Sequence, residues 1–184
     1  IKAVRYGVTR NQVYAVQIVT PYGDIVDLGS PLKKCSTGYC MEQLVIGSEG
    51  TLGIITQVTL KLQPLPPYKI DMLAIFHDQM AAIGVVPQLV KAGIDPTSIE
   101  YMDNPNVRTT SEYLEFPGAP HIEDGIYVII TIETFNEDEL DMKMEQASDI
   151  CEAAGAVDVL EADERIWMMR RNCLESVSLI SKVC

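Results

Sequence analysis

The stretch Gly47-Ser48-Glu49-Gly50-Thr51-Leu52-Gly53-Ile54-Ile55 holds residue types that could do chemistry through the main chain. Three glycines within seven residues permit a sharp turn and let backbone approach a ligand closely. Successive N–H groups in such a turn form a concavity for phosphate oxygens, while a plain tight turn of small residues satisfies the same spacing. The pattern is neither the Gly-x-Gly-x-x-Gly dinucleotide fingerprint nor a P-loop, because no Lys-Ser or Lys-Thr follows the last glycine. A second candidate is Arg170, which on a helix shares a face with Ile166, Cys173 and Val177. An arginine on an apolar stripe either snorkels past the core or faces a buried anion. Arg171 stands near Trp167 and Leu174, so helical spacing alone does not separate the two. Ser48 has no histidine nearby and lacks the nucleophile-elbow pattern, which argues against a hydrolase.

These residues need elements to hold them. After the glycine loop, Ile54, Thr56, Val58, Leu60 and Leu62 alternate with Gln57, Thr59, Lys61 and Gln63, a period of two that predicts a half-buried strand. Residues 13–20 are rich in β-branched and aromatic residues and nearly continuous, as for a strand covered on both faces. Pro21-Tyr22-Gly23-Asp24 signals a turn, 25–28 the returning arm of a hairpin, and 41–46 a short helix leading into the loop. Pro64-Leu65-Pro66-Pro67 stiffens the chain and removes N–H donors, marking a domain border.

Beyond the border, predicted strands at 69–76, 98–102, 126–133 and 157–160 alternate with helices. The helix over 78–92 has Asp78 as N-cap, and Pro87 inside it predicts a kink or two pieces. Asn104-Pro105 reads as N-cap and N1 of a helix running toward Glu115. Asn136 and Glu139 make a capping-box-like start, and Leu140, Met144, Ala147, Cys151 and Ala154 then mark one buried face. Asp163 caps the last helix. A β-α-β-α-β-α-β order predicts a ferredoxin-like helix-on-sheet layer.

Composition bounds the function. With 184 residues and 47% apolar content the chain holds one domain or parts of two, with an ample core. A net charge of −12 argues against nucleic acid or an anionic membrane surface as partner. No run of eighteen apolar residues or signal peptide is visible. Five cysteines without a C-x-x-C pair fit a reducing cytoplasm rather than a disulfide framework. His77 and His121 lie far apart without ligand-like neighbours, so no metal site is expected. The first residue is not Met, and the chain is expected to be a fragment.

The string from Ile46 to Thr56, followed by Thr59-Leu60-Lys61-Leu62 and Pro64-Leu65-Pro66, resembles the flavoenzyme family of the vanillyl-alcohol oxidase/p-cresol methylhydroxylase (PCMH) type. The resembled branch holds the glycolate oxidase flavoprotein subunit and D-lactate dehydrogenases, and the likeness covers most of the chain. It implies an α+β chain: the end of a PCMH-type FAD-binding domain over residues 1–65, then part of a ferredoxin-like substrate cap domain over 66–184, of the FAD-linked oxidase C-terminal type. It implies that FAD lies along Glu49, Gly50, Thr51, Leu52, Gly53, Ile54 and Ile55, largely against backbone. Trp167-Met168-Met169-Arg170 matches an aromatic-x-x-Arg pattern that supplies a carboxylate-binding arginine, which favours Arg170 over Arg171. Gly38-Tyr39 is kept, but Cys40-Met41 replaces the branch's Asp-Leu, and Lys33 and Lys34 read as solvated lysines.

No catalytic residue and no metal ligand is assigned within the chain. The branch's pyrophosphate loop and its metal-binding histidine motif fall outside it, so the chain alone is expected to be inactive. The whole enzyme is expected to oxidise a D-2-hydroxy acid of the D-lactate or glycolate type to the 2-oxo acid by hydride transfer to flavin. Electrons then pass to a partner, an electron-transfer flavoprotein or an iron–sulfur subunit. An alkyl-glycerone-phosphate synthase-like flavoprotein is the second enzyme reading, and a non-catalytic interaction domain that keeps the loop as a structural turn is the third.

Overall fold

Nine consecutive buried residues, Ile126–Thr134, form the strand around which the larger part of the chain is built. The computed structural model describes residues 2–116 and 118–180, with side chains described up to 172. The chain divides into two compact units: Tyr6–Leu65, and the residues from Pro66 onward together with those up to Arg5. A one-turn helix α1 (Ala3–Tyr6) opens the chain.

In the larger unit, strands β4 (Tyr68–Phe76), β5 (Ser98–Met102), β6 (Ile126–Thr134) and β7 (Asp158–Glu161) lie in the order β5-β6-β4-β7, all neighbours antiparallel. Helix α3 (Gln79–Lys91) joins β4 to β5, and α5 (Glu137–Ala153) joins β6 to β7. Each pair of strands so joined is separated by one strand of the other pair, which is the ferredoxin-like split βαβ arrangement. Between β5 and β6, where that arrangement has a hairpin, stands α4 (Asn104–Tyr113); α6 (Glu164–Ile180) follows β7.

The period of two divides the core. Met72, Ala74 and Phe76 of β4, with Val128, Ile130 and Ile132 of β6, pack on one face against Val85 and Leu89 of α3 and Ala147 and Cys151 of α5. Leu73, Ile75, Tyr127 and Ile129 face the other way, against Val107 of α4 and Ile166 and Met169 of α6. A strand covered on both sides loses its alternation, which is why β6 reads as a continuous apolar run. Burying each of its large aliphatic side chains stabilises the fold by about 1.5–3 kcal/mol.

Caps place the helices. Asp78 accepts from Ala81 N at 3.0 Å and Asn136 from Asp138 N at 2.9 Å. Asp163 accepts from Ile166 N at 2.8 Å. The cap of α4 is Asp103, which accepts from Asn106 N at 3.0 Å, so Asn104 is the first helical residue rather than the expected N-cap. Asn104 instead donates from Nδ2 to the carbonyls of Ile122 and Gly125, at 3.0 and 3.2 Å, and ties down the loop before β6. Helix α3 runs through Pro87 as one element, not two pieces. Proline removes the N–H that would serve Ile83 C=O, and Ile83 is 46% exposed, so water can take its place.

The N-terminal residues belong to this unit through Glu133, a buried carboxylate at the end of β6. Lys2 Nζ lies 2.5 Å from it and Thr97 Oγ1 donates to it at 3.2 Å. Arg5 donates to the Glu133 carbonyl at 2.7 Å and pairs with Asp95 at 3.0 Å.

The smaller unit is a three-stranded antiparallel sheet, β2-β1-β3, of β1 (Val13–Val19), β2 (Ile25–Gly29) and β3 (Ile54–Leu60). Helix α2 (Met41–Val45) packs Val45 against Val13, Val16 and Ile18. Two expectations fail here. β1 is buried at three of its seven positions rather than covered on both faces. β3 is exposed at six of its seven positions, including Ile54, Ile55, Val58 and Leu60, because among the described residues no layer of this unit covers it.

Candidate flavin loop and carboxylate site

The glycine loop sits between α2 and β3 and is shaped by local hydrogen bonds. Ser48 N donates to Val45 O at 3.0 Å, and Thr51 N and Oγ1 both donate to Ser48 O, at 3.0 and 2.7 Å. Arg10 Nη2 holds the Ile46 carbonyl from outside at 2.6 Å. Glu49 and Gly50 both have positive φ, +52° and +79°, the left-handed conformation that L residues adopt at a cost. Gly53 has φ +153° and is buried, and a Cβ there would stand 2.8 Å from Val19 O in the neighbouring strand. Only glycine lets the loop enter β3 so close to the end of β1.

The loop is built to present backbone. Among the described residues the N–H groups of Glu49, Gly50 and Leu52 make no hydrogen bond. Glu49, Gly50, Thr51, Leu52, Ile54 and Ile55 are all exposed. A Cβ on Gly50 would meet nothing nearer than Ile54 Cδ1 at 4.0 Å, so space is open in front of the turn. Donors without partners beside exposed Leu52, Ile54 and Ile55 suit a ligand with acceptor atoms and a flat apolar body. The loop therefore fits a flavin nucleotide.

Arg170 lies on α6 in the larger unit. Its side chain is 18% exposed, whereas Arg171 is exposed, so burial separates two residues that helical spacing left equivalent. The guanidinium stacks on Trp167 one turn earlier, 5.0 Å from the ring centroid. Trp167 is half-buried and serves as that platform. Arg170 Nη1 also meets Glu100 Oε1 on β5 at 3.4 Å, a long contact through one nitrogen of a group with five N–H donors. Cys173 and Val177, expected on the same helix face, lie outside the residues whose side chains are described.

Glu100 was not singled out from the sequence. It shares a face of β5 with Met102, whose side chain packs on the α4 and α6 side, and period two from Met102 could have found it. Nearby, burial and then the Asp103 carboxylate raise Tyr101 above its ordinary value of 10.0. Lys33 and Lys34 are exposed, as solvated lysines should be. The reading of His77 and His121 as standing apart is overturned: their ring centroids are 5.8 Å apart.

The family model for the C-terminal domain of FAD-linked oxidases matches residues 65–183. A D-lactate dehydrogenase of Anaerostipes hadrus is 38% identical over 96% of this chain and 39% of its own length. A glycolate oxidase subunit GlcD of Bacillus subtilis is 35% identical over 88% of this chain and 34% of its own. The chain thus spans little more than a third of these relatives. Among solved structures, an alkyldihydroxyacetonephosphate synthase superposes with a TM-score of 0.70 at 21% identity, covering 96% of this chain and 34% of that one. p-Cresol methylhydroxylase gives 0.61 at 14% identity, over 87% and 37%. At such identities the structural likeness shows fold alone, an α+β chain of PCMH type ending in a ferredoxin-like cap, and sequence carries the rest. The chain belongs to the FAD-linked oxidase family, a family of flavin-dependent oxidoreductases, beside its D-lactate dehydrogenase and glycolate oxidase relatives.

Proposed function

We propose that this chain works within an enzyme that oxidises a D-2-hydroxy acid, of the D-lactate or glycolate type, to the 2-oxo acid. Residues 1–65 supply part of the FAD-binding domain and 66–184 part of the substrate cap. FAD, when bound, would supply the acceptor for the hydride of the substrate α-carbon. Glu49, Gly50, Thr51, Leu52, Gly53, Ile54 and Ile55 lie along it, with the free N–H groups of Glu49, Gly50 and Leu52 as donors and the exposed aliphatic side chains as an apolar floor. Arg170 takes the substrate carboxylate. Its planar fork can hold both oxygens, which fixes the position of the α-carbon and converts binding into orientation. Trp167 stiffens the fork from below. Glu100 restrains it until substrate arrives, and the long single contact makes the exchange inexpensive.

The observation that carries the substrate class is the 38% identity to a D-lactate dehydrogenase across 96% of the chain. Electrons would leave to a protein partner, an electron-transfer flavoprotein or an iron–sulfur subunit. No described helix is long and apolar enough to cross a membrane, and the cysteine usage suits a cytoplasmic setting. The test is steady-state turnover of the full-length protein, offering D-lactate and glycolate with an artificial electron acceptor and, separately, an acyl-glycerone phosphate with a fatty alcohol, an exchange that needs no acceptor and is read by product analysis. Oxidation of a hydroxy acid is expected. Turnover of the acyl-glycerone phosphate alone would overturn the assignment.

A further inference from the structure

The sheet of the larger unit gathers two histidines and two carboxylates at one end. His77 follows directly on Phe76, the last residue of β4, which pairs with Ile126 of β6. That register sets His77 beside the residues just before β6. There Asp124 N and Gly125 N both donate to His121 O, at 3.3 and 2.6 Å, closing a turn that brings His121 and Asp124 to the same spot. His121 has φ +49°, an uncommon conformation for a residue with a Cβ. A Cβ on Gly125 would stand 2.6 Å from His121 O, so the turn closes this tightly only over glycine. On the other edge of β4, Asp158 opens β7 opposite Ile75. Three segments distant in sequence are thus brought together by strand register.

The geometry is close to that of a metal centre. His77 Nδ1 lies 3.3 Å from Asp124 Oδ2, and His121 Nε2 lies 3.8 Å from Asp158 Oδ2. The imidazole rings meet edge to face at 69°, and one donor atom from each of His77, His121 and Asp124 lies within 4.8 Å of the others. A tetrahedral ion with bonds of ~2.0 Å needs donors ~3.3 Å apart. Three of the four side chains retain more than a third of their exposure and Asp124 two thirds, so small rotations close the remaining gap without disturbing the core. Two imidazoles with carboxylate oxygens favour a borderline first-row divalent cation over calcium or magnesium, which take oxygen ligands.

We propose that His77, His121 and Asp124, with Asp158 as a fourth ligand, form a site for a zinc-class divalent cation that clamps the end of β4 to the turn before β6 and the start of β7. The full-length protein, stripped with a chelator and titrated with Zn(II), tests this against a His77→Gln/His121→Gln double variant. Wild type should bind one equivalent more than the double variant, both retaining the same flavin content and circular dichroism. Asp124→Asn, which keeps both histidines, should weaken that equivalent tenfold or more. Equal numbers of equivalents at equal affinity in wild type and double variant would overturn the proposal and leave two surface His–Asp pairs. Should the double variant fail to fold, Asp124→Asn decides alone: a tenfold weaker equivalent supports the site, and unchanged binding overturns it.

Discussion

Replacing Arg170 by Met separates a carboxylate clamp from a structural ion pair. In wild type the guanidinium is 18% exposed and Glu100 24%, and they touch through a single 3.4 Å contact. A partly exposed pair of this kind is worth about 0–1 kcal/mol, so losing it costs the fold little. Hydrogen bonds from a charged donor to a substrate carboxylate are worth roughly 1.5–3 kcal/mol. At 1.36 kcal/mol per factor of ten, Arg170→Met should lower kcat/KM for D-lactate by about 10- to 150-fold. Arg170→Lys keeps the charge and loses the fork, and should fall about tenfold by the lower end of the same range. Glu100→Gln removes the competing carboxylate and should lower KM by up to about fivefold, the kinetic equivalent of ~1 kcal/mol. The assay is steady-state turnover of D-lactate beside its uncharged amide, with thermal unfolding of each variant. Arg170→Met should erase the preference for the acid over the amide. The clamp is refuted if Arg170→Met leaves kcat/KM for D-lactate within twofold while its melting temperature drops.

Three further outcomes follow from the packing. Gly53→Ala forces a Cβ to 2.8 Å from a backbone oxygen, whereas Gly50→Ala adds one in open space. Gly53→Ala should therefore destabilise by about 1–3 kcal/mol and Gly50→Ala by about 1, with flavin retention lost in Gly50→Ala out of proportion to its melting shift. Tyr127 is fully buried, its hydroxyl donates to Pro120 O, and burial raises its pKa from 10.0 to about 12. The unfolded chain releases that proton first as pH rises, so the contribution to stability is complete below pH 10 and is lost between 10 and about 12. Alkaline unfolding of wild type against Tyr127→Phe should show that extra slope only in wild type. Finally, burial and then Glu152 raise the Cys151 thiol to about 11, while Cys35 and Cys40 are exposed. Mass spectrometry after native alkylation near pH 8 should find Cys35 and Cys40 labelled and Cys151 spared.

What could be read from the sequence was whatever depends on local pattern. The helix face of Ala147 and Cys151, the caps Asp78, Asn136 and Asp163, and the strand at 126–133 all report their own neighbourhood, and the structure has them as expected. The α4 cap slipped by one residue because Asp103 and Asn104 are both good caps, and the loop carbonyls of Ile122 and Gly125 decide between them. Pro87 stayed within one helix: the N–H it removes would serve Ile83 C=O, and Ile83 is exposed enough for water to take its place. The alternation in β3 promises a covering layer, and alternation says nothing of where that layer comes from. Glu100 meets Arg170 across 70 residues and His77 meets His121 across 44; packing of α6 on the sheet creates the first pair and strand register the second, and proximity in sequence shows neither.

The account rests most directly on one spectrum. The full-length protein, purified with any co-expressed partner, is recorded in the visible range before and after anaerobic addition of D-lactate. A flavin band that bleaches on addition is the predicted result, and it confirms cofactor and substrate class together. A flavin band unmoved by D-lactate, glycolate or D-2-hydroxyglutarate contradicts the hydroxy-acid assignment, and a folded, FAD-supplemented protein without a flavin band contradicts the role given to the loop at Glu49–Ile55.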